Sequence, residues 1–94
     1  MTTTPQACSR EVEIVNPQGL HARPVMQFVD IASQYASTVT VAKGDQVVDG
    51  KSPMDMIVLE GTRGTKLVIS AHGADAAAAV EALADLVGRG FDEM

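Results

Sequence analysis

In "EVEIV", Glu11 to Val15, apolar and acidic side chains alternate one for one, the period of a β-strand with one buried and one wet face. "TVTVA" (Thr38 to Ala42), "QVV" (Gln46 to Val48) and "TKLVISA" (Thr65 to Ala71) supply three more strands, and the "KGD" between the second and third suits a hairpin. "NPQG" ends the first strand. Apolar residues at three- and four-residue spacing then mark two helices: Val25, Phe28, Val29, Ala32 and Tyr35 on the first, and Ala76, Ala79, Val80, Leu83 and Leu86 on the last, with Gly88 as its stop. "KSPMDMIVL" is a short helix by its start signals: Ser52 as cap, Pro53 in the first helical position, and Asp55 three after the cap to close a capping box. The order is β-α-β-β-α-β-α. Strands with a single buried face oblige every helix to pack on that face, so an open-faced two-layer sandwich of strands and helices is expected.

Ninety-four residues, 46% of them hydrophobic, are enough for one core and not two. We assign residues 1–10 to an N-terminal tail, 11–90 to the folded domain and 91–94 to a short C-terminal tail. The aromatics are Phe28, Tyr35 and Phe91 alone, and the formal net charge is −5. Nucleic acid is therefore not an expected partner, since neutralising phosphates takes clustered Lys and Arg, and unpaired bases stack on aromatic platforms. Cys8 is the single cysteine, which excludes an intrachain disulfide and points to the cytoplasm. No stretch approaches the length of a membrane span.

The decisive stretch is "NPQGLHARPVMQFV", Asn16 to Val29. It opens a helix with His21 and Arg23 where Ser, Asp or Glu would normally stand. A first helical turn presents unpaired N–H groups and roughly half a positive charge, so each further cation costs about 0.3–1 kcal/mol there. The choice becomes favourable once an anion occupies the spot, because the N–H groups, the helix dipole and a guanidinium then converge on one oxyanion. Pro24 gives up no needed donor at an early helical position, and Gly19 lets the backbone bend close to the imidazole. The helix start also favours a neutral imidazole, and a neutral imidazole is a nucleophile. Attack on phosphorus would give a labile phosphoramidate whose charge rests on the first-turn amides and Arg23. A histidine at a helix start can equally be a plain surface residue, and Arg23 a solvated charge.

"GLHARP" (Gly19 to Pro24), followed by "GKSPM" (Gly50 to Met54) with its serine 31 positions after the histidine, resembles HPr, the histidine-containing phosphocarrier family of the bacterial phosphoenolpyruvate-dependent sugar phosphotransferase system. The likeness runs from about Glu11 to about Val87. It implies an α+β fold with a four-stranded antiparallel sheet and three helices on one face. It also implies that His21 accepts a phosphoryl group at Nδ1 from phosphorylated enzyme I and passes it to enzyme IIA domains, with Arg23 and the N–H groups of Ala22 and Arg23 steadying the phosphoryl oxygens. Partners would dock on the first two helices, including Val25, Met54 and Ile57. Ser52 matches the serine that HPr kinase/phosphorylase modifies in many relatives, which admits a second reading: a regulatory binding protein controlled by phosphorylation at Ser52. As a plain helix cap, Ser52 would contribute about 1 kcal/mol. Pro53 and Asp55 depart from the family pattern and bear on kinase recognition, leaving the His21 site untouched.

The remaining candidates carry less. His72 has no second ligand near it in sequence, so no metal site is expected. "GTRGTK" fails the spacing of a phosphate loop and precedes a strand instead of a helix. Without a nucleotide site the chain depends on a donor protein, and no cofactor is implied. Met54 and Met56 suit core filling, although adaptable Met side chains also suit a protein meeting several partners. A monomer is expected.

Overall fold

The computed structural model describes residues 7–93. Strands β1 (Ala7–Glu13), β2 (Thr38–Lys43), β3 (Gln46–Asp49) and β4 (Lys66–His72) alternate with helices α1 (Ala22–Ala32), α2 (Pro53–Val58) and α3 (Ala76–Gly88). The strands form one antiparallel sheet in the order β1-β4-β2-β3. Along β2 and β4 the buried side chains are Val39, Val41, Leu67, Ile69 and Ala71, every second residue, so one face meets the helices and the other meets water. This is the open-faced sandwich that the alternation predicted.

The helical stripes hold except at Tyr35, which lies past the end of α1 and is only partly buried against the core. Val25, Phe28, Val29 and Ala32 are buried on α1, and Ala76, Ala79, Val80, Leu83 and Leu86 on α3. By contrast α2 buries a single residue of its own span, Met56. One fully buried side chain of this size contributes about 1.5–3 kcal/mol, enough to seat one and a half turns against the core.

The boundaries that differ most from the sequence reading lie in the first strand and at the C-terminal end. β1 begins at Ala7, so residues 7–10 of the expected tail belong to the sheet: Ala7 pairs with His72 and Arg10 with Ile69. Cys8 packs against the core, and the length of β4 provides partners for these polar residues; residues 1–6 of that tail lie outside the described residues. At the same strand's end, Ile14 and Val15 leave the regular ladder, although the Ile14 N–H still reaches the Thr65 carbonyl at 2.9 Å. The expected C-terminal tail is also part of the fold. Gly90, Phe91 and Asp92 form a left-handed hook with φ of 66°, 56° and 60°, and Phe91 is buried in the core. Each left-handed residue with a side chain costs about 1–2 kcal/mol, which burial of the Phe91 ring offsets. Met94 lies outside the described residues.

Candidate functional site at the mouth of the first helix

Gly19 is the pivot. Its φ is +67°, and a Cβ there would collide with the Gly61 carbonyl oxygen, so only glycine lets the chain pass this close to the loop before β4. Leu20 N–H bonds that same carbonyl at 2.7 Å and His21 N–H bonds the Gly19 carbonyl at 3.0 Å. The imidazole is thereby delivered to the N-cap position of α1 on an extended backbone (φ −84°, ψ −175°). The first intrahelical bond runs from Val25 N–H to the His21 carbonyl at 3.1 Å. Pro24 lies ahead of it and forfeits no donor, as expected.

His21 makes no side-chain cap, and no acidic residue occupies the first turn. Among the described residues nothing accepts from the N–H groups of Ala22 and Arg23. The first-turn N–H groups of the helix are therefore left free. His21, Arg23, Pro17, Gln18, Asp92 and Glu93 line a depression of about 500 Å³ in front of it. The His21 side chain is 35% exposed, accessible from solvent yet held.

What holds it comes from the far end of the chain. Glu93 places Oε2 at 2.8 Å and Oε1 at 3.0 Å from His21 Nε2. The fully buried Asn16 donates from Nδ2 to Glu93 Oε1 at 3.0 Å and to the Gly19 carbonyl at 2.8 Å. Both neighbours are acceptors, which settles the orientation of the amide; its Oδ1 is left without a partner. The hydrogen bond from His21, then the one from Asn16, hold the Glu93 carboxyl below its usual range against the opposing effect of burial, and the charge of Arg23 adds to this. A carboxylate only accepts, so the proton on His21 faces it from Nε2, and in the neutral ring the lone pair belongs to Nδ1.

The structure brings His21, Ala22 and Arg23 together at the mouth as expected. It corrects one docking residue. Val25 is completely buried under α1 and touches no partner surface, because it belongs to the same apolar stripe that fastens the helix to the sheet. Its neighbour Met26 is exposed instead, as are Ile57, Met54 (78% exposed) and Val58 (62% exposed) on α2. The two methionines of α2 divide the work: Met56 fills the core and Met54 stands in solvent. Ser52 caps α2 as predicted, its Oγ accepting from Asp55 N–H at 3.3 Å. The capping box is only half made. The Asp55 carboxylate turns to Asp49 N–H at 3.4 Å, while Ser52 N–H bonds the Asp49 carbonyl at 3.2 Å.

Comparison with known proteins identifies the family. Residues 8–89 match the family model described as the PTS HPr component phosphorylation site. The chain belongs to the HPr family. It is 43% identical to the phosphocarrier protein HPr of Neisseria meningitidis over 89% of this chain and 94% of that one. The structure of an HPr from Thermoanaerobacter tengcongensis superposes with a TM-score of 0.89 at 38% identity, over 93% of this chain and 98% of that one. The Bacillus subtilis catabolite repression protein Crh, solved as an intertwined swapped dimer, is 34% identical with a TM-score of 0.73 over 86% of this chain and 93% of that one. Membership makes this chain a phosphocarrier of the phosphotransferase system.

Proposed function

We propose that His21 accepts a phosphoryl group at Nδ1 from phosphorylated enzyme I and hands it to enzyme IIA domains of the sugar phosphotransferase system. The observation that carries this reading is the pairing of an uncapped, cation-bearing helix start with an imidazole whose Nε2 is already engaged. The phosphoryl oxygens find the N–H groups of Ala22 and Arg23 and the Arg23 guanidinium, each charge-assisted bond contributing about 1.5–3 kcal/mol. Met54 and Ile57, joined by Met26 and Val58, form the apolar docking surface beside the site, an exposure that the stability of a six-residue helix does not require. Arg10, Glu11 and Glu13 on the edge strand β1 discourage edge-to-edge pairing, which supports a monomer. The enzymes that load and unload it place it in the cytoplasm, and no described helix is long and apolar enough to cross a membrane.

Ser52 serves as a helix cap in this reading. Its Oγ is committed to Asp55 N–H, and Asp55 brings a carboxylate into the same first turn, where a phosphate would meet like charge. These features weigh against HPr kinase/phosphorylase as a partner.

The test is direct. Incubation with the organism's own enzyme I, Mg²⁺ and phosphoenolpyruvate is expected to give an acid-labile, base-stable phosphoprotein that His21→Ala abolishes. A phosphoprotein that survives that substitution, or none at all from the wild type, would overturn the proposal.

A further inference from the structure

The match to the family model stops at Arg89, yet the chain continues through the left-handed hook to Glu93, whose carboxylate meets His21 Nε2 at 2.8 and 3.0 Å. The hook is built for that contact. Phe91 is buried, the Arg89 guanidinium bonds Asp92 at 3.1 Å, and Glu93 N–H closes on the Gly90 carbonyl at 3.0 Å. Asn16 then fixes the carboxylate with a buried amide whose own oxygen goes unsatisfied, a choice that stability alone does not favour. The Glu93 side chain is itself only 16% exposed, so its charge acts on the ring with limited screening by water.

We propose that Glu93 is a positioning residue for phosphoryl transfer: it holds the His21 ring as the Nε2–H tautomer, keeps the lone pair on Nδ1, and stabilises the imidazolium that forms when Nδ1 is phosphorylated. This rests on the phosphocarrier reading above. In the forward step the Nδ1 lone pair makes the N–P bond while the bond from phosphorus to the donor on enzyme I breaks, its electron pair leaving with the donor. The ring keeps its Nε2 proton and becomes positive, facing Glu93. In onward transfer the acceptor's nucleophile bonds phosphorus, the N–P electron pair returns to Nδ1, and the ring is neutral again. No proton leaves Nε2 in either direction, so one fixed carboxylate serves both, as an orienting acceptor does for other catalytic histidines. Asn16 acts one step further out, on the carboxylate.

Histidine labelled with ¹⁵N in the ring, with His72 identified through His72→Gln, reports the tautomer by two-bond ¹⁵N–¹H couplings in alkaline solution. The expected wild-type signal is protonated Nε2, with Glu93→Ala giving a mixture of the two forms. Phosphorylation by enzyme I is expected to slow about tenfold in kcat in Glu93→Ala, with KM for the carrier unchanged. Glu93→Gln falls between, because its amide oxygen still accepts from Nε2–H but brings no charge. A wild-type ring protonated on Nδ1, or a Glu93→Ala protein with unaltered kcat, overturns the inference. Either result leaves the carrier reading intact as long as the wild type is phosphorylated on His21. If the wild type takes no phosphoryl group at all, the carrier reading fails instead, and the tautomer still decides whether Glu93 sets the ring.

Discussion

The first two helices begin in opposite ways. α2 starts with Ser52 as a side-chain cap, Pro53 next, and Asp55 in the first turn, each of which satisfies an orphan donor or offsets the dipole. α1 starts with His21, which caps nothing, and has no acid in its first turn. Both starts are open to solvent, so the difference is one of use. One end is finished by its own residues; at the other the first-turn N–H groups stay free, and the carboxylate the chain brings there, Glu93, is spent on the imidazole. The sharpest way to break this contrast is to finish the first helix as the second is finished. His21→Ser supplies the missing cap, worth about 0.5–1 kcal/mol, against which stands the loss of the Glu93 contact. Urea unfolding is expected to show a stability no lower than wild type, while phosphorylation by enzyme I falls to background. A clear loss of stability would mean that His21 is there to hold the fold, and the contrast would vanish.

The start of α3 supplies the intermediate case. Asp75 occupies the cap position without capping its own helix; its carboxylate reaches across to Ala36 N–H at 2.8 Å, to Ser37 N–H at 2.9 Å, and to the Ser37 hydroxyl. The Ser37 hydroxyl first and the Ala36 N–H second hold this carboxyl below its usual value of 3.8, with burial opposing them. A carboxyl depressed in the folded state binds fewer protons there than in the unfolded chain, so its contribution is complete above about pH 4 and is lost as pH falls through the lowered value. Asp75→Asn is expected to lower Tm at neutral pH by more than loss of a single cap, because the amide's N–H₂ must confront at least one of the donors. Its stability should also lack the wild type's decline in acid below pH 4. An unchanged acid profile would show that the α3 start, like that of α2, is a purely local matter.

How much of this was legible in the sequence follows from how local each signal is. The sandwich rests on alternation and helical spacing within single elements, and both survive because burial imposes them residue by residue. His21 and Arg23 were legible because the anomaly and its explanation lie within one turn. Val25 was given two incompatible tasks, a place on the apolar stripe and a place on the docking surface; the stripe excludes the docking role, and the exposed residue is the one a position on, Met26. Glu93 lies 72 residues from His21 and follows a stretch that, by composition, reads as a polar tail. Phe91, apolar at the position where the tail was expected to begin, was the available signal that this end returns to the core. Asn16 read as a strand breaker, and nothing nearby in sequence reveals that its amide serves a carboxylate from the other terminus. The early part of β1 was missed because its pairing depends on β4 reaching past it.

The smallest expected effect lies at the conventional helix start, and it is the one that separates a cap from a regulatory serine. Ser52→Ala removes an acceptor from Asp55 N–H and should cost about 1 kcal/mol in urea unfolding, with Pro53 still fixing the first turn and Met56 still buried beneath it. Because the Ser52 hydroxyl bonds Asp55 N–H and takes no part in the His21–Glu93–Asn16 hydrogen bonds, phosphorylation of His21 by enzyme I should proceed at the wild-type rate. Ser52→Asp should recover the stability, since Asp caps as well as Ser and its favourable charge at the helix N-terminus is offset by the neighbouring Asp55 carboxylate. If Ser52→Asp matches wild-type stability yet weakens phosphoryl transfer, the serine has a second use in docking, and the two helix starts are more alike than their hydrogen bonds indicate: each would then give a helix end to traffic with partners, one by bearing the phosphoryl group and the other by answering to charge.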